Sequence, residues 1–156
     1  MSEYIMDLCK IVGHRTLIQV GASVIVEDSE GKILLQKRAD THTWAYAGGS
    51  VEIDESVEDT ARRELFEETG LVAEELELLG VYSGKHMHNI YPNGNETSNV
   101  DIVYVCRKYS GQLKCQEKEV LELKFFSIEE MPGEIFMPNV PAIEEWRRRK
   151  NDYNGK

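Results

Sequence analysis

Three glutamates, Glu64, Glu67 and Glu68, are spaced at i, i+3 and i+4. A helix turns by about 100° per residue, so carboxylates with this spacing share one helix face. Like charges at this spacing destabilise an isolated helix by about 0.2–0.5 kcal/mol per pair, which points to a cation among them. Oxygen-only ligands favour Mg²⁺ or Mn²⁺ over zinc. The alternative is a solvated acidic helix face, which is the usual meaning of such a pattern taken alone.

Local signals predict the helix that would carry these carboxylates. Ser56 is a favourable N-cap, Asp59 follows three residues later as in a capping box, and Gly70 supplies the stop. A second stripe, spaced at i, i+4 and i+8, is apolar and can face a core; it comprises Val57, Ala61 and Leu65. The sequence therefore predicts one amphipathic helix between the cap and the glycine.

The wider segment, residues 49–71, resembles the signature of the Nudix hydrolases, G-x5-E-x7-R-E-U-x-E-E-x-G-U, where U is a bulky aliphatic residue. Every specified position is matched at the right spacing, by Gly49, Glu55, Arg63, Glu64, Leu65, Glu67, Glu68, Gly70 and Leu71. We call this segment the box. The resemblance implies an α+β protein with the Nudix fold, a mixed β-sheet sandwiched between helices, formed by residues 1–156 as a single domain.

The resemblance also implies which residues hold the metal and perform catalysis. Glu64, Glu67 and Glu68 are the implied ligands of Mg²⁺ or Mn²⁺, and a backbone carbonyl of the glycine pair, at Gly48, completes the metal shell. Glycine at this position would let the backbone approach metal or phosphate closely. The resemblance further implies that Glu64 and Glu68 are catalytic as well as metal-binding.

Arg63 is expected to pair with Glu55 and to orient the carboxylates rather than to touch substrate. The general base is a separate question, because some relatives use a glutamate of the box and others a glutamate from a later loop. Glu117, Glu119 and Glu122 lie in the right region, and we favour Glu119. The alternative for each of the three is an ordinary surface carboxylate.

Substrate contacts are expected from a polar segment without periodicity, residues 85–99, because long loops in compact domains are often functional. Tyr91 or His86 could stack on a base, and His88 or Lys85 could reach a phosphate. A histidine in a polar loop is more often simply solvated.

Two further candidates precede the box. Arg38 ends a predicted strand that leads into the box and is a candidate for phosphate contact. Trp44 could line the site, although a core position fits it equally well. Relatives often have Trp-x-x-Pro-Gly-Gly here, whereas this chain has Ala47 in place of the proline.

The remaining chain predicts strands and two more helices. Residues 17–26 and 32–38 are predicted to form a hairpin, since a turn sequence separates two apolar runs. Further strands are predicted at residues 75–83, 100–106 and 120–126, and helices within residues 1–16 and at 139–150, the latter with Ile143 and Trp146 facing inward.

Composition narrows the expected partners. The formal net charge is −10, and residues 49–70 alone contain eight acidic residues and two arginines. An acidic chain without a dense basic patch is a poor binder of duplex nucleic acid. No apolar run is long enough for a transmembrane helix, and the N-terminus does not resemble a signal peptide. Three widely spaced cysteines suit a reducing cytoplasm.

The predicted function is a Mg²⁺-dependent pyrophosphohydrolase that cleaves a phosphoanhydride bond of a nucleoside diphosphate linked to a moiety X. Candidate substrates are ADP-ribose, a nucleotide sugar, and an ordinary or oxidised nucleoside triphosphate, because the sequence markers of the individual subfamilies are missing. The alternative is a nucleotide-binding sensor of the same fold without turnover. A plain structural domain would leave the carboxylate cluster unexplained. A homodimer is implied by the resemblance only.

Overall fold

The computed structural model of the chain describes residues 2–155. It contains three α-helices, α1 (Glu3–Val12), α2 (Val57–Thr69) and α3 (Val140–Asn154). Eight strands accompany them: β1 (Leu17–Val26), β2 (Ile33–Arg38), β3 (Trp44–Ala45), β4 (Ala47–Ser50), β5 (Leu71–Tyr82), β6 (His88–Ile90), β7 (Glu96–Gly111) and β8 (Val120–Phe126). Short 3-10 turns precede β6 and α3. The α+β class predicted from the sequence is confirmed.

The larger sheet is mixed and has the strand order β4-β1-β7-β5, with β6 paired to β7. β1 and β7 run parallel, while β4, β5 and β6 pair antiparallel with their neighbours. The parallel register sets Gln19 opposite Asn99 and Gly21 opposite Asp101. This register matters for function because it aligns polar positions of two strands on one surface.

The second sheet is antiparallel, with the order β3-β2-β8. The predicted hairpin of β1 with β2 is therefore wrong, and the two strands meet only at an isolated bridge between Glu27 and Ile33. The turn itself forms, since the Asp28 carboxylate accepts hydrogen bonds from the backbone N–H groups of Glu30 and Lys32. β7 occupies one edge of β1 along its whole length, and β4 occupies residues 21–24 of the other edge, so only the end of β1 next to Glu27 is open to β2.

Helix α2 forms as predicted and packs on the larger sheet. The Ser56 hydroxyl accepts a hydrogen bond from the Asp59 N–H at 3.1 Å, and Gly70 adopts the left-handed conformation at the end. Ala61 and Leu65 are fully buried against β1, β4 and β5. The buried stripe fixes the rotation of the helix, and this rotation decides where its carboxylates lie.

Residues 85–99 are more ordered than predicted, and the expectation of a loop without regular structure is wrong. They contain the 3-10 turn, β6 and the start of β7, joined by a tight turn in which Gly94 has φ +85°. The Tyr91 N–H donates to the Asn95 carbonyl across this turn at 2.8 Å. The Asn93-Gly94 pair is a hairpin-turn signal.

Helix α3 covers the opposite side, where Ala142, Ile143 and Trp146 are buried in a second core. Among residues 2–155 no helix has both the length and the apolar character needed to cross a membrane. The three cysteines carry free thiols.

Candidate active site

One cavity of about 680 Å³ collects most of the predicted site residues. It lies where α2, β4 and the polar surface of β1 and β7 meet. The predicted residues that line it are Arg38, Gly48, Arg63, Glu64, Glu67, Glu68, Tyr91 and Glu119. Helix α2 and the glycine pair thus face residues that come from strands and loops far away in sequence.

Glu68 is the deepest of the three box carboxylates, with 7% of its surface exposed. It accepts hydrogen bonds from Gln36 Nε2 at 2.8 Å and from the Gly48 N–H at 3.2 Å. Burial, followed by the neighbouring Glu64 carboxylate, raises the pKa of Glu68 to about 8, although the two hydrogen-bond donors act in the opposite direction. A carboxylate so placed is electrostatically suited to a cation.

Arg63 connects several residues of the box through hydrogen bonds. Its guanidinium donates to both carboxylate oxygens of Glu55, at 2.7 and 3.0 Å, and to Glu64 Oε1 at 2.8 Å. Further bonds reach Glu67 at 3.3 Å and the Ser50 carbonyl at 3.2 Å. The pairing of Arg63 with Glu55 that the sequence predicts is therefore present.

The glycine pair allows β4 and α2 to approach closely. A Cβ atom at Gly49 would overlap the Glu64 carboxylate, and one at Gly48 would overlap the Ser23 side chain. Burial raises the pKa of Glu64, and the ion pair with Arg63 opposes this rise. Close packing of β4 against Glu64 at Gly49 and against Ser23 at Gly48 thus favours glycine at both positions.

The donor chemistry of this cavity fits a hard divalent cation, because it offers carboxylates and backbone oxygen and no thiolate. Gly48 directs its N–H to Glu68, and since the N–H and C=O of a strand residue point to the same edge, its carbonyl faces that edge too. Within residues 2–155 no three acidic, histidine or cysteine side chains are gathered closely enough to enclose an ion. Arg63 draws Glu64 and Glu67 to itself, so a cation would compete with these ion pairs.

Glu119 lies just before β8, where the Ala39 N–H donates to its carbonyl at 2.9 Å. Its exposed side chain lines the cavity, and its negative charge contributes to the raised pKa values of Glu64 and Glu68. Neither Glu117 nor Glu122 lines the cavity. Of the three glutamates, Glu119 is thus the one that lines the cavity, and its role as general base stays a prediction.

The four predicted substrate contacts separate into two groups. Arg38 and Tyr91 line the cavity, and Arg38 is held by a bidentate ion pair with Asp40 and by the ring of Phe136, 4.4 Å away. Trp44 is outside the lining and packs edge-on against Phe126, with 4.8 Å between ring centroids. His86 is exposed outside the lining as well.

Gln36 and Asp101 line the cavity but are not among the predicted residues. Asp101 is buried, and the single Ser23 hydroxyl donates a bifurcated hydrogen bond to its two carboxylate oxygens, at 2.8 and 3.0 Å. Burial raises its pKa to about 6, while the hydroxyl groups of Ser23 and Tyr46 act in the opposite direction. The signal was present, because Asp101 is the one charged residue in the run Val100–Cys106.

The sequence and fold of the chain are similar to those of known proteins of one family. The NUDIX domain profile matches residues 17–147. An ADP-ribose pyrophosphatase of Methanocaldococcus jannaschii is 35% identical over 127 residues, which cover 80% of this chain and 70% of that protein. A MutT-like protein of Streptomyces ambofaciens is 42% identical over 66 residues, 42% of this chain and 43% of that protein. The crystal structure of a MutT NUDIX hydrolase from Burkholderia pseudomallei superposes with a TM-score of 0.71 and 28% identity, covering 82% of this chain and 97% of that one.

Proposed function

The chain belongs to the Nudix hydrolase family, and we propose that it is a divalent-metal-dependent pyrophosphohydrolase that cleaves a phosphoanhydride bond of a nucleoside diphosphate linked to a moiety X. One observation carries the proposal. Glu68, a buried carboxylate, lies beside Glu64 in a cavity that also contains Arg38 and Glu119. The paired carboxylates, the cationic side chain and the outer acid supply the groups that phosphoanhydride hydrolysis needs.

Each residue has a distinct proposed role. Glu64, Glu67, Glu68 and the Gly48 carbonyl would hold Mg²⁺ or Mn²⁺, which when bound neutralises charge on the phosphates and on the attacking oxygen. Glu119 accepts the proton of the attacking water, whose oxygen forms a bond to phosphorus as the bridging P–O bond breaks. The leaving phosphate departs with the electron pair of that bond.

Arg63 and Arg38 act on charge and position. Arg63 keeps Glu64 in place through an ion pair at 2.8 Å, while Glu55 holds the other side of the guanidinium. Arg38 offers a positive charge at the cavity wall that can face a substrate phosphate. Its pair with Asp40 fixes the guanidinium so that little side-chain entropy is lost on binding.

ADP-ribose, a nucleotide sugar and an ordinary or oxidised nucleoside triphosphate are the candidate substrates. The archaeal relative, named as an ADP-ribose pyrophosphatase, supports the first of these. We further propose a single domain acting in the cytoplasm as a homodimer on small nucleotides, apart from duplex nucleic acid and membranes.

A substrate panel tests the proposal. Purified protein is incubated with nucleoside triphosphates, oxidised deoxynucleoside triphosphates, ADP-ribose, nucleotide sugars and dinucleoside polyphosphates, with Mg²⁺, with Mn²⁺ and with EDTA. We expect release of a nucleoside monophosphate from at least one compound, and only with metal. Complete inactivity across the panel would refute the proposed hydrolase activity. Tight nucleotide binding without turnover would favour the alternative, a nucleotide-binding sensor of the same fold.

A further inference from the structure

The cavity extends beyond the box along β1, β7 and β6 to a group of three carboxamides. Gln19 and Asn99 are register partners on the parallel strands β1 and β7, and Asn89 lies on β6. All three line the cavity. We call them the amide group. The mechanism above does not use them.

Two members of the amide group, both half-buried, each have a buried oxygen atom without a protein partner. Among the described residues, Gln19 Oε1 and Asn99 Oδ1 are inaccessible and accept no hydrogen bond. A further amide oxygen of the same cavity, Gln36 Oε1, is also buried without a partner within residues 2–155, although its Nε2 donates to Glu68. By contrast, Asn139 Oδ1 accepts the Tyr46 N–H at 3.0 Å. A buried polar atom without a partner costs about 1–3 kcal/mol. Two such atoms belong to side chains that line one cavity, which points to a ligand whose donors these side chains turn to meet.

The position of the amide group matches the reach of a nucleotide. Ser23 lies opposite Gly48 at the metal end, and Gln19 lies four residues earlier on the same face of β1, about 13 Å away at strand spacing. Gly21 occupies the middle, where an added Cβ would lie 3.1 Å from the Gly49 carbonyl oxygen. The absence of a side chain there keeps the floor open between the two ends.

One aromatic side chain accompanies the amides. Tyr91 follows β6, is half-buried and lines the cavity, whereas Met87, which precedes β6, is 2% exposed and offers almost no surface. A flat heterocycle can stack on the Tyr91 ring while its edge meets amides. A carboxamide carries one acceptor and two donors in a plane and can bond two neighbouring atoms of a base edge.

We propose that Gln19, Asn89 and Asn99 form a subsite that recognises the hydrogen-bonding edge of a nucleobase, with the phosphates directed toward Gly48 and the box. The orientation of the nucleotide rests on the proposed function, whereas base recognition by the amides does not. The subsite would give the chain a preference among bases, which the box alone cannot supply.

Equilibrium binding tests the subsite without catalysis. AMP, GMP, CMP, UMP and ribose 5-phosphate are titrated by calorimetry in Mg²⁺ buffer into the wild type and into Asn99→Leu, Gln19→Leu and Gln112→Leu. Gln112 is an exposed amide outside the cavity and serves as the matched control. We expect one monophosphate to bind at least about 10-fold more tightly than ribose 5-phosphate, the gain of a good amide–base pair. Asn99→Leu and Gln19→Leu should abolish this gain, and Gln112→Leu should retain it.

Asn99→Asp provides a second test, because it replaces a donor by an acceptor while preserving shape. We expect it to change which monophosphate binds best. Equal binding of ribose 5-phosphate and all four nucleotides, or unchanged base preference in the Asn99 and Gln19 variants, would overturn the subsite and would favour recognition of a sugar or phosphate. If the protein binds bases selectively but hydrolyses no compound of the substrate panel, the proposed hydrolase activity is refuted, whereas base recognition by the subsite is supported.

Discussion

Arg63 donates to both oxygens of Glu55, at 2.7 and 3.0 Å, and the same guanidinium holds Glu64 at 2.8 Å. Glu55 lies before α2, and Glu64 lies on it. Arg63 therefore connects the loop of the box to the carboxylate face of its helix. The stability of the loop and the position of Glu64, a proposed catalytic side chain, are coupled through one residue.

A double-mutant cycle measures this connection. Arg63→Ala and Glu55→Gln should each destabilise the fold, with a coupling energy between about 0.5 and 3 kcal/mol in urea unfolding, because each variant leaves the other partner unpaired. Arg63 lowers the pKa of Glu55 to about 2, so the contribution of the pair is present above pH 4.5 and lost as pH falls toward 2. Strictly additive effects would show that the two residues do not support each other.

Glu68→Gln should separate activity from folding. The amide preserves shape but loses the charge offered to the metal, so kcat should fall by about 100-fold or more. The melting temperature in EDTA should stay equal or rise, because burial disfavours the charged form of Glu68. Glu58→Gln, an exposed change on the same helix, is the control and should remain active. Near-normal turnover by Glu68→Gln would remove Glu68 from the metal site.

Gly49→Ala tests whether the close approach of β4 to α2 is needed. The added methyl group would overlap the Glu64 carboxylate and displace it, so we expect at least about a 10-fold loss of kcat, since small misplacements of catalytic groups are costly. Gly133→Ala is a matched control, because no atom lies within 4 Å of its added Cβ. Equal activity of the two variants would contradict this role of Gly49.

The box helix was predictable because its determinants are local. Ser56, Gly70 and the apolar stripe act within a few turns of one another. The sheet arrangement was not, since pairing of β1 with β2 depends on which strands already occupy the edges of β1. Local turn chemistry at Asp28 is the same whether the following strand joins the same sheet or another.

In the site, too, local features were predictable from the sequence and contacts between distant residues were not. Glu64, Glu67 and Glu68 follow from spacing on one helix. Asp101 meets Ser23 across 78 residues of sequence, and Gln36 meets Glu68 across 32. Such contacts arise from strand register, which single-sequence patterns do not specify.

Glu119→Gln tests the proposed general base. Loss of the carboxylate should lower kcat by about 100- to 10,000-fold, the usual contribution of a positioned base. Glu117→Gln, two residues away and outside the cavity, should leave kcat unchanged. Equal effects of the two variants would return the role of base to a glutamate of the box.

The stability of Asp101→Asn relative to wild type should be greater at neutral pH than at acid pH. Burial raises the pKa of Asp101 from 3.8 to about 6, so the folded state favours the neutral carboxyl. The stability contributed by its proton is full below pH 3.8 and is lost as pH rises through 6. The full shift corresponds to about 3 kcal/mol at about 1.4 kcal/mol per pKa unit, and about a fifth of it is already lost at pH 4. The stability of Asp101→Asn relative to wild type should therefore rise by about 2 kcal/mol between pH 4 and pH 7 in urea unfolding. Asp7→Asn, an exposed aspartate 61% accessible at its side chain, is the control and should show no such rise. A difference that is constant with pH would mean that Asp101 is charged in the folded protein throughout this range.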